Sequence, residues 1–220
     1  MVSVRSLARS YAERRFTVLF AVLLVAISGH AFVGGLIRVA NPLDWLLGLS
    51  LVAVVLSVRR GPLRFALWAV ALGFIGARLV QPLLEHRAPD TISQALFALA
   101  CLLTAGVAVR RALSSGPVDR EHIFAALDAY LLVGIAFGVG YWLLELAEPG
   151  SFGTGDGGPL TTPRALYFSF VVQATIGFGD VVPIGEHAQG IVVAQGVGGQ
   201  MYLAVLVARL VSLYSAQERR

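Results

Sequence analysis

Long apolar runs, most of them ended by arginine or proline, are the feature that most restricts how this chain can fold. A helix needs about 20 predominantly apolar residues to cross a bilayer. Apolar residues make up 57% of the sequence and charged residues only 14%, unlike a soluble domain. The runs that approach or exceed the required length cover residues 16–37, 43–58, 65–84, 92–109, 123–146 and 188–213. This pattern predicts an all-α membrane protein with six transmembrane helices.

The positions of the arginines predict how these helices are oriented. If the N-terminus is cytoplasmic, all arginines except Arg38, Arg78, Arg87 and Arg164 lie on the cytoplasmic side, as the positive-inside rule requires. Both termini are then cytoplasmic. A basic start before an apolar run also fits a signal peptide, but this run continues to residue 37, which favours a span. Because the charges cluster at the ends of apolar runs, the pI of 9.7 does not indicate a nucleic-acid partner.

A short helix is predicted between the last two spans. Residues 148–159 are rich in glycine and are predicted to form a non-helical linker. Thr162 is a suitable N-cap, and Pro163 suits the first helical position. The helix predicted over residues 163–174 is about 18 Å long, which is too short to span a membrane. We therefore predict a re-entrant helix that enters from the outer side.

The run that follows this helix is Thr175-Ile176-Gly177-Phe178-Gly179-Asp180. A pore that passes a dehydrated cation replaces the ion's water with rings of backbone carbonyl oxygens. Pointing successive carbonyls in one direction needs unusual backbone angles, which Gly177 and Gly179 adopt without a Cβ clash. The Thr175 hydroxyl adds one more oxygen layer. The two large apolar side chains point away from the axis, and Asp180 stays at the outer mouth.

In this setting, the run resembles the selectivity filter of the potassium-channel family, whose filters read Thr-(Val/Ile)-Gly-(Tyr/Phe)-Gly-Asp. The resemblance covers roughly residues 123–213. It implies K⁺ as the permeant ion and no other cofactor. It also implies a homotetramer in the lipid bilayer, because the run occurs once and a ring of oxygens needs several copies. The residues implied to hold K⁺ are Thr175, Ile176, Gly177 and Phe178.

Several positions around the filter depart from the family pattern. Phe168 stands where some members use tryptophan to hold the filter aspartate, so Asp180 needs another partner. Ala174 replaces a threonine that is common before the filter, and Phe178 lacks the hydroxyl of tyrosine. These departures predict weaker selectivity for K⁺ over Na⁺, or a filter that inactivates easily. Glu145 resembles an acid that braces the back of the filter, although an interfacial charge at a helix end fits it equally well.

The last span carries the candidates for gating. In the family, a glycine about twenty residues after the second filter glycine acts as a hinge. Gly199 stands there, with Gly196 and Gly198 close by. Close packing against the short helix explains these glycines equally well. Ala204 and Val207 are the candidates for the inner constriction.

The first four spans resemble a voltage sensor without its charges. One charge moved across 100 mV contributes only about 2.3 kcal/mol, so sensing needs several arginines, and residues 92–109 contain none. We therefore predict weak or absent voltage dependence. Asp128 is predicted to pair with an arginine near the linker, with pH sensing as the alternative. A structural ion pair is predicted for Arg78, a packing role for His30, and burial for the single cysteine, Cys101.

The predicted function is a tetrameric K⁺-selective channel. A poorly selective cation channel on the same pore and a non-conducting membrane scaffold are the alternatives. An enzyme is not expected, because no metal-ligand cluster or nucleophile–base spacing stands out. Seven residues after residue 213 leave no room for a soluble ligand-binding domain. The absence of lysine, with many alanines, glycines and valines, is typical of a prokaryotic plasma-membrane protein.

The predicted organisation follows from these assignments. It comprises a cytoplasmic N-terminus (1–15), a four-span accessory domain (16–111), a linker (112–121), a pore domain (122–213) and a cytoplasmic tail (214–220). The pore domain is predicted to contain a span (122–147), the pore helix (163–174), the filter (175–180) and the last span (188–213).

Overall fold

The computed structural model describes residues 14–33, 62–80, 88–114 and 119–218. The chain is mostly helical and divides into two compact units, Met1–Ala136 and Phe137–Arg220. The division falls inside the fourth helix. The helices are α1 (Arg15–Val33), α2 (Pro62–Val80), α3 (Ala88–Ala112), α4 (Arg120–Ala147), α5 (Thr162–Gln173) and α6 (Glu186–Glu218). Two short strands, β1 (Phe152–Thr154) and β2 (Val181–Pro183), flank α5 in the chain.

Within the described residues, the helical stretches long and apolar enough to cross a membrane are Thr91–Ala112, Arg120–Ala147 and Glu186–Arg209. Two shorter apolar helical stretches, Arg15–Ser28 and Phe65–Gly76, lie within the predicted first and third spans. The predicted second span, residues 43–58, lies outside the described residues. The fold is therefore consistent with an all-α membrane protein, and the number of six spans stays a prediction.

In the first unit, α2 and α3 pack against each other. The rings of Phe74 and Phe97 lie 6.1 Å apart across this contact. Gly73 comes so close to α3 that a Cβ placed on it would lie 2.9 Å from Cδ1 of Leu96. Small residues permit such close approach of helices in lipid, where packing drives association. Cys101 on α3 carries a free, buried thiol, as the sequence predicted.

The N-terminus of α1 is capped by a side chain from α4. Glu121 Oε2 accepts a hydrogen bond of 3.0 Å from the backbone N–H of Phe16. Glu121 Oε1 accepts one of 2.7 Å from the Thr17 hydroxyl and one of 3.4 Å from the Thr17 N–H. The first N–H groups of a helix have no partner within the helix, and a carboxylate there also interacts favourably with the helix dipole. Glu121 therefore fixes where α1 begins.

Replacing Glu121 by alanine is expected to weaken the start of α1 by about 1 kcal/mol, the usual loss for a missing N-cap. Hydrogen exchange of the Phe16 and Thr17 amides measures this locally, and both amides should exchange faster in Glu121→Ala. The neighbouring change Arg120→Ala leaves the cap in place and serves as the control. Equal exchange in the two variants would contradict the capping role.

Asp128 does not make the ion pair that the sequence predicted. Its side chain on α4 is buried, and neither carboxylate oxygen has a hydrogen-bond partner in the described part of the chain. Of the nearby arginines, Arg111 instead donates to Oδ2 of Asp119 at 3.2 Å. That pairing interpretation of Asp128 is therefore wrong. The side chains of His30 and Arg78 lie outside the description, so the roles predicted for them remain predictions.

The second unit contains a two-stranded antiparallel sheet that the sequence did not predict. Its pairs are Phe152↔Pro183, Gly153↔Val182 and Thr154↔Val181. Strand β1 lies inside residues 148–159, where the glycines predicted only a linker. Glycine weakens isolated strands, so β1 forms because β2 supplies its partner. The sheet joins the two chain segments that precede and follow α5.

The core of the second unit is aromatic. The ring of Tyr141 on α4 lies 5.3 Å from that of Phe152 on β1 and 5.4 Å from that of Phe168 on α5. The rings of Phe152 and Phe168 meet edge to face at 5.8 Å. Aromatic pairs in such tilted arrangements add about 0.5–1.5 kcal/mol beyond the area they bury. Helices α4 and α5 and the sheet are thus held around one buried cluster.

Candidate functional site

Residues 175–180 leave the C-terminal end of α5 through a tight turn. The N–H of Ala174 donates to the carbonyl of Phe170 at 2.9 Å, that of Thr175 to Val172 at 3.0 Å, and that of Ile176 to Val171 at 2.9 Å. The helix spans Thr162–Gln173, one residue earlier at each end than predicted. Thr161, with extended backbone angles, precedes the helix as its N-cap and makes no side-chain capping bond, so the predicted cap at Thr162 is corrected by one residue.

Alternate residues of this segment adopt left-handed backbone angles. The φ angles are 56° at Thr175, 63° at Gly177 and 79° at Gly179. Glycine adopts such angles without steric cost. Thr175 is the only non-glycine residue with a positive φ in the described part of the chain, and a β-branched residue is an outlier there. Backbone strain of this kind costs about 1–3 kcal/mol and persists where the surroundings impose it.

The end of the segment is fixed to the sheet. The carbonyl oxygen of Asp180 accepts a hydrogen bond of 2.8 Å from the N–H of Gly155, one residue beyond β1. Strand β2 begins directly after Asp180. The hydroxyl of Tyr167 on α5 interacts with the Asp180 side chain. Tyr167 is thus the partner that Asp180 needed in the absence of a tryptophan at position 168.

The loop between β1 and α5 is closed by a carboxylate–guanidinium pair. Asp156 Oδ1 accepts from Arg164 Nη1 at 3.0 Å, and Oδ2 accepts from Nη2. The pKa of Asp156 falls to about 2, first because Arg164 donates to it and then because the Gly158 N–H does. A lowered carboxyl pKa means that the pair is fully formed above the unfolded value near 4. Its contribution is lost as the pH falls through about 2.

Glu145, one of the predicted filter supports, binds the turn before β1. Its Oε1 accepts from the N–H of Gly150 at 2.9 Å, and its Oε2 accepts from the N–H of Phe152 at 3.0 Å. These contacts hold the start of β1 to the end of α4. Since β1 in turn pairs with β2, Glu145 supports the exit of the segment indirectly.

Replacing Glu145 by alanine is expected to loosen β1 and lower the stability of the second unit by about 2 kcal/mol, because two N–H groups lose a charged acceptor. The thermal unfolding midpoint in detergent measures the loss. Glu148→Ala is the control, since Glu148 is exposed and its side chain contacts His187 in an exposed pair. A midpoint in Glu145→Ala no lower than in the control would disprove this role.

The other two predicted supports lie in different surroundings. Phe168 is buried in the aromatic cluster with Tyr141 and Phe152, so it anchors α5 in the core. Ala174 follows the last residue of α5 and is exposed. Ile176 and Phe178 are also exposed, with 53% and 67% of their surface accessible. Within the described part of the chain, the segment thus presents two large apolar side chains that are more than half accessible.

The three glycines of α6 differ in what they contact. A Cβ on Gly199 would lie 3.1 Å from Cγ and 3.3 Å from the carbonyl oxygen of Gln173. A Cβ on Gly196 would lie 3.8 Å from Cγ1 of Val172, and one on Gly198 would meet no described residue within 4 Å. Helix α6 is continuous from Glu186 to Glu218. Of the two explanations left open by the sequence, the contacts of Gly199 are those of close packing.

The two residues predicted for the inner constriction, Ala204 and Val207, are exposed on α6. Gln195, a buried residue of the same helix, is one that the sequence analysis did not identify. Gln195, Ser169, Gln173 and Tyr141 are all buried polar residues. The sequence contained a signal for this cluster, because polar residues buried within apolar helices need hydrogen-bond partners.

Residues 175–180 lie within the part of the chain that matches a known family model. Residues 129–216 match the family model described as "Ion channel". The chain is 32% identical over 91 residues to "Two pore potassium channel c" of Oryza sativa subsp. japonica. The match covers 41% of this chain and 18% of that protein. No solved structure matches the chain. The apolar helices and these similarities together support an ion channel in a membrane.

Proposed function

We propose that the chain forms a homotetrameric K⁺ channel in which residues 175–180 are the selectivity filter. The observation that carries the proposal is the positive φ at Thr175, Gly177 and Gly179. Alternation between left-handed and other backbone angles turns successive carbonyls to one side, as a ring of cation-binding oxygens requires. K⁺ is then held at Thr175, Ile176, Gly177 and Phe178, as in the family that the segment resembles.

Helix α5 favours a cation at the start of this segment. It ends directly before Thr175, so the negative end of its dipole lies there. It carries no acidic or basic residue in its last turn that would alter this field. Its twelve residues are too few to span a bilayer, which fits a re-entrant pore helix.

Exposed apolar surface supports an assembly of several copies. Ile176 and Phe178 are exposed beside the proposed filter. Only 6% of the apolar window of α6 is buried within one chain. The exposed large side chains of α6 are Ile191, Val193, Val197, Met201, Val205 and Val207. A fourfold arrangement would cover part of this surface and supply the four filter segments that a ring needs.

The remaining assignments of the sequence analysis belong to the same proposal. The chain crosses a plasma membrane six times with both termini in the cytoplasm, and its first four spans sense voltage weakly or not at all. Phe178 and Ala174 leave the filter with fewer polar contacts behind it. We therefore expect moderate selectivity for K⁺ over Na⁺, and a poorly selective cation channel is the alternative on the same pore.

The test is the reversal potential of the purified protein in planar bilayers, with K⁺ on one side and Na⁺ on the other, stepped over voltage. Reversal near the K⁺ equilibrium potential supports a K⁺ channel, and reversal near zero supports the poorly selective alternative. A steep conductance–voltage curve would contradict weak voltage sensing. A tetramer by mass that passes no current and binds no K⁺ by calorimetry would refute conduction and leave the scaffold alternative.

A further inference from the structure

A buried polar cluster joins α6 to the last turn of α5. Gln195 Nε2 lies 2.7 Å from Ser169 Oγ, 2.9 Å from Gln173 Oε1 and 3.2 Å from the Ser169 carbonyl oxygen. Its Oε1 accepts a hydrogen bond from the hydroxyl of Tyr141 on α4. Both ends of the Gln195 amide therefore have partners, and three helices of the second unit meet at this side chain.

The cluster lies one turn from the proposed filter. Ser169 and Gln173 are four residues apart and share one face of α5. Gln173 is the last residue of α5 and is separated from Thr175 by one residue. Thr175 is the strained entry to the segment, with a φ of 56°. A shift of Gln173 therefore moves the residue at which the unusual backbone begins.

A second contact fixes the same residue. Gly199 lies four residues after Gln195, so the two share a face of α6. The missing side chain of Gly199 lets α6 approach the carbonyl oxygen of Gln173, which would lie 3.3 Å from an added Cβ. Gln173 is thus held by a side-chain hydrogen bond and, one turn further along α6, by direct packing. Close packing transmits displacement because packed helices deform little.

From this geometry we propose that Gln195 is a positioning residue that couples α6 to the filter through Gln173. The inference rests on the proposed function and extends that function by naming how the filter is controlled. With Gln195 in place, α5 and α6 move together, and the entry at Thr175 keeps its conducting geometry. When α6 moves, Gln173 moves with it, so the filter itself responds to the position of α6.

The test compares Gln195→Leu with Gln189→Leu in the full-length protein in bilayers. Gln189 is on the same helix but exposed, and its amide contacts the carbonyl of Ile184 at 3.2 Å. Gln195→Leu removes every hydrogen bond of the Gln195 amide, and a change of about 1.4 kcal/mol between two states of the filter corresponds to about tenfold in their equilibrium. We expect Gln195→Leu to lower the K⁺/Na⁺ permeability ratio about tenfold or to speed current decay by that factor. Gln189→Leu should match the unaltered protein.

Tyr141→Phe provides a second, milder variant, because it keeps the aromatic ring and removes only the hydroxyl that donates to Gln195. Tyr141→Phe should change the permeability ratio or the rate of current decay by about threefold, because a threefold change corresponds to about half the free energy of a tenfold change. Added to Gln195→Leu, it should have no further effect, since both act on one network. If Gln195→Leu fails to fold, Tyr141→Phe alone tests whether Gln195 couples α6 to the filter.

The outcomes separate the two proposals. Absence of K⁺ current and K⁺ binding in the unaltered protein would refute the proposed function itself. Normal K⁺ current in the unaltered protein, with selectivity and decay unchanged in Gln195→Leu and Tyr141→Phe, would overturn the coupling role and leave the channel intact. A lower unfolding midpoint with unchanged selectivity and decay would show that the cluster serves stability alone, which also overturns the proposal.

Discussion

Replacing Gly177 by alanine is expected to abolish K⁺ conduction while the protein still folds and assembles. The φ of Gly177 is 63°, and a residue with a Cβ pays about 1–2 kcal/mol in that left-handed region. Among the described residues, a Cβ there meets no heavy atom within 4 Å, so the cost comes from the backbone. In a tetramer this backbone cost applies to each of the four copies of residue 177. Single-channel recording and K⁺ calorimetry measure the loss.

Gly140→Ala is the matched control for this prediction. Gly140 lies on α4, and an added Cβ there also has no heavy atom within 4 Å among the described residues, but its backbone is helical. Alanine is the better helix former by about 1 kcal/mol, so this variant should conduct normally. A Gly177→Ala protein with unaltered K⁺ current would rule out the filter assignment of this residue.

Replacing Gly138 by alanine is expected to lower the stability of the second unit by about 1–3 kcal/mol, the usual cost of overpacking. A Cβ on Gly138 would lie 2.8 Å from both Cα and Cδ2 of Leu166 and 3.2 Å from its N. The Leu166 backbone belongs to α5 and cannot move without displacing that helix. The thermal unfolding midpoint in detergent should therefore fall.

Gly140→Ala tests whether the Gly138 effect is due to packing. Gly140 lies two residues further along α4, and an added Cβ there meets no heavy atom within 4 Å in the part of the chain that the structure describes. Its helix propensity should improve, so its midpoint should stay or rise. If Gly138→Ala and Gly140→Ala unfold at the same temperature, the close contact between α4 and α5 does not limit stability.

The sequence identified features that depend on local pattern. A helix of twelve residues before Thr175 was predicted from a threonine–proline start and its apolar length, and the structure has it within one residue. The position of its N-cap was off by one, because Thr161 and Thr162 are chemically equivalent before Pro163. Glycine at positions 177 and 179 indicated left-handed backbone, and both have positive φ.

Features that depend on distant partners could not be predicted. Residues 152–154 were predicted only as part of a glycine-rich linker, and β1 forms through its register with β2. The sequence offered arginines for Asp128, but the fold buries that carboxyl without a hydrogen-bond partner among the described residues. The hydrophobic pattern of a sequence indicates which residues are buried. It does not indicate which buried polar groups form hydrogen bonds with each other.

The sequence by itself therefore predicted a mostly helical protein with apolar stretches long enough to span a membrane, and one short glycine-containing segment with unusual backbone angles. Periodicity, apolar length and glycine conformation are local properties, so they can be read along the chain. Only the tertiary structure decided that Tyr167 holds Asp180, that Glu145 binds Gly150 and Phe152, and that Gln195 reaches Gln173. These pairings bring together residues from separate segments, and packing of the whole unit selects one partner among several that chemistry allows.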